Sequence, residues 1–104
     1  MSRVEEDRLR AIVRGSRWFL GVLEAVRESA LPDAWVGAGA LRDLVWGTLH
    51  DGFEVTRVRD VDVAYFDAAD LRRERDDEAD TLLRSLRPDV PWEAKNQAAV
   101  HTWY

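Results

Sequence analysis

The apolar run Ala34, Trp35 and Val36 stops on two glycines, Gly37 and Gly39, and the chain then resumes with apolar residues at helical spacing, Ala40, Leu41, Leu44, Val45 and Leu49. A short apolar run bounded by turn residues predicts a buried strand, whereas steps of three and four place side chains on one face of a helix. The segment therefore reads as strand, glycine turn, helix. It closes near His50, Asp51 and Gly52, where the glycine caps the helix or turns the chain.

The next run, Val58 to Phe66, alternates charged or small residues with large apolar ones, a period of two that predicts a second strand with Asp60 and Asp62 on one face. Upstream, Leu9, Ile12, Val13, Phe19, Leu20, Leu23 and Val26 predict amphipathic helix from Val4 to Ser29, split near Gly15 and Ser16. Between Asp67 and Arg87, a thin stripe of Leu71, Ala79, Leu82, Leu83 and Leu86 predicts a helix with a solvated charged face. Val90, Trp92 and Ala94 alternate as a third strand, and Asn96 caps a further helical start. The expected fold is α/β, a small mixed sheet of about three strands flanked by helices. It forms a single domain over 1–104, with a helical segment at 1–30 and the core at 31–104.

At 104 residues one core is the limit, and such a chain buries roughly 65% of its unfolded surface. Hydrophobic residues at 46% and charged residues at 34% fit a globular chain. Trp35, Trp46 and Trp92 lie beside apolar neighbours and are expected in the core, although any tryptophan face can also stack a nucleobase for about 1–3 kcal/mol. Cysteine is absent, so a metal would be held by oxygen or by His50 and His101. A net charge of −5 argues against strong nonspecific binding to nucleic acid. No apolar run approaches the ~20 residues of a bilayer span, and the expected address is the cytoplasm.

The aspartate pair carries the chemistry. Side chains two apart on a strand leave from the same face with their bases ~6.5–7 Å apart, which is chelating geometry. Paired carboxylates hold divalent ions in nucleotidyl transfer, although an Asp-x-Asp by itself is more often a solvent-facing strand. The turn at Gly37, Ala38 and Gly39 leaves helix N-terminal amides open to phosphate oxygens, or merely allows a tight connection. Arg42, one turn into the helix, can reach a triphosphate with Asp43 holding it, or the two form a surface ion pair.

The order Val36, Gly37, Ala38, Gly39, Ala40, Leu41, Arg42, Asp43, then Asp60, Val61, Asp62, resembles the DNA polymerase beta-like nucleotidyltransferase superfamily. Ala38 to Asp43 also look like the Gly-Gly-Ala-Val-Arg-Asp segment of CCA-adding and poly(A)-adding enzymes, with Ala38 in place of the first glycine. A narrower similarity, through Trp46, Asp60 to Asp67, Trp92, Glu93, Lys95 to Ala98, Val100, His101 and Trp103, is to a bacterial group of nucleotidyltransferase family proteins. Its members usually continue further, so a sequence ending at Tyr104 is either a fragment or a minimal version.

The resemblance implies transfer of a nucleoside monophosphate from a triphosphate to a hydroxyl acceptor, with Mg2+ (or Mn2+) on Asp60 and Asp62. It also implies a third carboxylate on a neighbouring strand, for which Glu93 is the candidate and Asp67 the reserve. Lys95, Asn96, Gln97 and His101 form a polar cluster at the exit of the third strand and are candidates for the acceptor side. Two rival readings stand: a noncatalytic nucleotide- or protein-binding module of the same fold, and a structural subunit whose tryptophans pack on another chain.

Overall fold

The computed structural model describes residues 2–50 and 52–100. Two helices come first, α1 (Arg3–Gly15) and α2 (Arg17–Ser29). Ser16 is the break between them. Its extended backbone ends α1, and its hydroxyl accepts the N–H of Phe19 at 3.1 Å, so one residue closes one helix and caps the next.

There follow β1 (Trp35–Val36), α3 (Ala38–Leu49), β2 (Val61–Tyr65), α4 (Glu74–Leu86) and β3 (Trp92–Asn96), with short 3-10 turns at Val55–Arg57 and Gln97–Ala99. The sheet order is β1-β2-β3. β1 runs antiparallel to β2, and β2 runs parallel to β3, so the three-stranded mixed sheet expected from the sequence is present. Parallel neighbours require a crossover, and α4 supplies it.

One core joins the helices to the sheet. Phe19, Val22 and Val26 from α2, Ala40 and Leu44 from α3, Val61, Val63 and Tyr65 from β2, Ala79 and Leu83 from α4, and Trp92 and Ala94 from β3 form a single buried cluster. The alternation along β2 and β3 is strict: one face is buried, while Asp62, Ala64, Glu93 and Lys95 lie on the other and are exposed or half-buried. No helix among the described residues is long and apolar enough to cross a membrane.

Several boundaries differ from the sequence reading. The strand expected from Val58 begins only at Val61, because Val55–Arg57 winds into a 3-10 turn first. The helix expected from Asp67 starts at Glu74, since Asp67 and Asp70 tie residues 67–73 into a turn by accepting the N–H groups of Ala69 and Arg72. The side chain of Arg72 also hydrogen-bonds Asp70 and holds that carboxyl down at about 2. Trp92 is core as expected, but Trp35 is 52% exposed and Trp46 67% exposed. Trp35 belongs to a two-residue edge strand and alternates onto the open face of the sheet; Trp46 sits on the outer side of α3.

β3 ends the sheet, yet its outward N–H groups are occupied. Asp80 of α4 accepts the N–H of Ala94 at 2.7 Å, and Asp76 accepts that of Asn96 at 2.8 Å. Asp76 also accepts the hydroxyl of Tyr65 at 2.6 Å, so one carboxylate ties α4 to both β2 and β3. Burial pushes the Asp80 carboxyl up, against the opposing pull of the Ala94 hydrogen bond.

Candidate active site

The site is built by alternation on β2 and by the turn before α3. Val61 and Val63 point into the core, which forces Asp62 onto the open face, and Asp60, two residues earlier, is exposed as well. Gly37 is the residue before α3, and no side chain caps this helix start. The N–H of Gly37 donates to the main-chain oxygen of Asp62 at 2.7 Å. A Cβ on Gly37 would lie 3.1 Å from that of Asp62, so glycine is what lets the turn press against the carboxylate-bearing residue. Gly39 is different: a Cβ there would meet only Arg42, at 3.9 Å, which shows the guanidinium lying over the start of the helix.

Parallel pairing sets the position of Glu93, the candidate third acid. Glu93 is the register partner of Asp62, so the two stand side by side on the open face, on strands ~4.8 Å apart. Glu93 is paired with Lys95 on the same strand, at 3.3 Å. Among the described residues no three carboxylate or imidazole groups converge closely enough to hold an ion. The donor chemistry nevertheless suits one: Asp60, Asp62 and Glu93 offer oxygen alone, the preference of Mg2+ and Mn2+.

Beside the pair lies a cleft of about 310 Å³ lined by Gly39, Arg42, Asp43, Arg57, Arg59, Asp60 and Asp62. Three guanidinium groups face three carboxylates. Arg57 is held loosely by Glu54 at 3.4 Å on the exposed surface. The sequence reading did not single out Arg57 and Arg59. The available signal was their position, three and one residues ahead of Asp60, on the stretch that leads into the acid strand.

Residues 24–104 match the model of a family described as Nucleotidyltransferase. The chain belongs to that nucleotidyltransferase family. A protein whose NMR structure is described as revealing a CCA-adding enzyme head domain superposes with a TM-score of 0.76 at 30% identity, over 93% of this chain and 50% of that one. This nucleotidyltransferase-family chain thus spans about half the length of that solved relative. Comparison with curated proteins gave no match.

Within this family member, the expected acceptor-side cluster does not stay together. Asn96 is only 1% exposed, and its amide is fully engaged: its oxygen accepts from Asp67 and Ala98, and its nitrogen donates to the main-chain oxygens of Asp67 and Asp70. It fixes the exit of β3 and has no hydrogen-bonding capacity left for a substrate. Lys95 is on the open sheet face beside Glu93, and Gln97 reaches back to the main-chain oxygen of Lys95 at 3.4 Å. His101 lies outside the described residues. Asp67, the reserve acid, is used locally, accepting from Ala69 and pairing with Arg75 at 3.1 Å.

Proposed function

We propose that this chain is a metal-dependent nucleotidyltransferase that moves a nucleoside monophosphate from a nucleoside triphosphate to a hydroxyl acceptor, releasing pyrophosphate. The observation that carries the reading is the contact of Gly37 with Asp62, which sets open helix N-terminal amides beside a carboxylate level with Glu93. Family membership supports nucleotidyl transfer in general. We place the reaction in the cytoplasm, with no membrane partner.

Each residue has a task. The amides of Ala38 and Gly39 at the start of α3 receive the β- and γ-phosphate oxygens, helped by the positive end of the helix dipole. Arg42, Arg57 and Arg59 hold the same phosphates with charge-assisted hydrogen bonds. Asp60, Asp62 and Glu93 would hold Mg2+ or Mn2+. When bound, the metal supplies Lewis acidity that eases loss of the hydroxyl proton and steadies the leaving pyrophosphate. Glu93, freed from Lys95, accepts that proton. Lys95 and Gln97 border the acceptor side.

The test is incubation of the protein with each of four radiolabelled nucleoside triphosphates, magnesium and cell extract. Label should pass to an acceptor with the native chain and fall about 100-fold or more with Asp60→Ala or Asp62→Asn. Equal labelling by native and substituted chains would remove the reading.

One observation favours a second reading. Glu93 is paired with Lys95, and no three acids converge among the described residues. That is the arrangement expected of a noncatalytic nucleotide-binding module. Isothermal titration separates the two: magnesium-dependent nucleotide binding that needs Asp62 but yields no pyrophosphate identifies the module.

A further inference from the structure

We infer that Trp35 is the platform on which the nucleoside base of the triphosphate stacks. The inference rests on the site reading above and adds the direction in which the nucleotide lies. Three arginines, Arg42, Arg57 and Arg59, gather on the α3 side of the carboxylates, so the terminal phosphates, which carry most of the charge, belong there. A nucleotide anchored by its γ end on that side must send its base the other way, across the open face of the sheet.

The register says what it meets. Trp35 pairs with Ala64, and Ala64 pairs with Lys95, forming a row on the same face as Asp62 and Glu93, one strand period or ~6.5–7 Å further along. The middle of this row is a small residue, and one end is an indole that remains 52% exposed in a chain whose other strand tryptophan, Trp92, is buried. Trp35 is also two residues from Gly37 and therefore on the side of the strand that meets Asp62. The apolar groove of about 660 Å³ that Trp35 also borders is walled by Phe19, Leu23 and Val26 of α2 and by Val36, whose register partner Val63 is buried, so it lies on the covered side of β1 and the base would meet the indole on the open face instead.

Trp46 is the competing aromatic. It is 67% exposed, but His50 packs against it with ring centroids 4.0 Å apart, and the cavity of about 320 Å³ that it lines lies beyond Arg42 and Arg57, on the γ-phosphate side.

The two tryptophans can be compared in one experiment, isothermal titration of the whole chain in magnesium with nucleoside triphosphates and with inorganic tripolyphosphate. The triphosphate should bind about tenfold or more tightly than tripolyphosphate. Trp35→Ala should erase that difference without changing tripolyphosphate affinity, Trp35→Phe should keep most of it, and Trp46→Ala should leave both ligands unaffected. A preference that survives Trp35→Ala, or that disappears in Trp46→Ala instead, overturns the inference while leaving the phosphate site intact. Failure of tripolyphosphate to bind, or binding indifferent to Asp62→Asn, counts against the site reading itself; loss of both ligands in Trp35→Ala marks a structural role and also overturns the platform.

Discussion

At the scale of single residues, Gly37 and Asp62 depend on each other. Gly37 has φ −65° and ψ 156°, a conformation open to any residue, so its glycine identity is explained by space and not by backbone strain. Gly37→Ala should therefore leave stability within about 1 kcal/mol of native by urea unfolding. The added methyl would press on Asp62 and crowd the helix start, so nucleotide affinity should fall by about tenfold or more, the effect of losing roughly one charge-assisted contact. Gly39→Ala, with only the end of Arg42 nearby, is the control expected to fold and bind better than Gly37→Ala.

These residues were legible because their signals are local: two glycines after an apolar run, and two acids in a period-two pattern. Glu93 was legible as a strand acid, but its place opposite Asp62 depends on a parallel pairing across the whole α4 crossover, which spacing alone does not specify. Asn96 was legible as a cap, its side chain accepting the N–H of Ala98, but its placing on the acceptor side was not, because a polar residue at a strand exit looks exposed while its burial comes from main-chain groups of 67 and 70 folding back over it. Trp35 and Trp46 were misread for the opposite reason, since apolar neighbours in sequence do not reveal which face remains uncovered.

At the scale of elements, α4 and β3 are joined by carboxylates of the helix that accept N–H groups of the strand. Asp80→Ala would remove the acceptor of the Ala94 N–H and should cost about 1–3 kcal/mol in urea unfolding. Asp80→Asn keeps an acceptor and discards the charge, and here pH decides the outcome. Burial raises the native carboxyl above its ordinary value of 3.8, so the folded state binds this proton more readily than the unfolded chain. The stabilising contribution of protonation is thus fully present below 3.8 and is lost as pH rises through the raised value. Asp80→Asn should then be more stable than native at pH 7, by under about 1 kcal/mol because the group is only half-buried and still partly screened by solvent, and the advantage should vanish near pH 4. Denaturant midpoints at the two pH values check it; an equal difference at both would show that the charge is not the cause.

At the scale of the whole molecule, the N-terminal helices and the sheet share one core, although the sequence could only mark 1–30 as a helical segment ahead of the rest. Val22 of α2 and Leu83 of α4 are both fully buried in the same cluster. Val22→Ala and Leu83→Ala should each lower one common thermal transition, the leucine by about 10–25 °C for a loss of about 2–5 kcal/mol. Two separated transitions in calorimetry would show that the helices melt independently. The architecture was readable from periodicity because helix and strand periods rarely coincide; the cleft was readable only at Arg42, because its other two arginines, Arg57 and Arg59, come from a 3-10 turn and a non-periodic stretch, Val55 to Arg59.

The sheet's outer rim has a further consequence for how copies of the molecule behave in solution. A strand that displays a row of free amide hydrogens recruits other strands, and self-association commonly starts there. In β3 that row is occupied at Ala94 and Asn96 by Asp80 and Asp76, acceptors that add negative charge as well as satisfying the amides. The rim is therefore both satisfied and mutually repulsive at neutral pH. Acid discharges Asp80, whose carboxyl burial already pushes up, and clumping of this protein in acid should begin along β3.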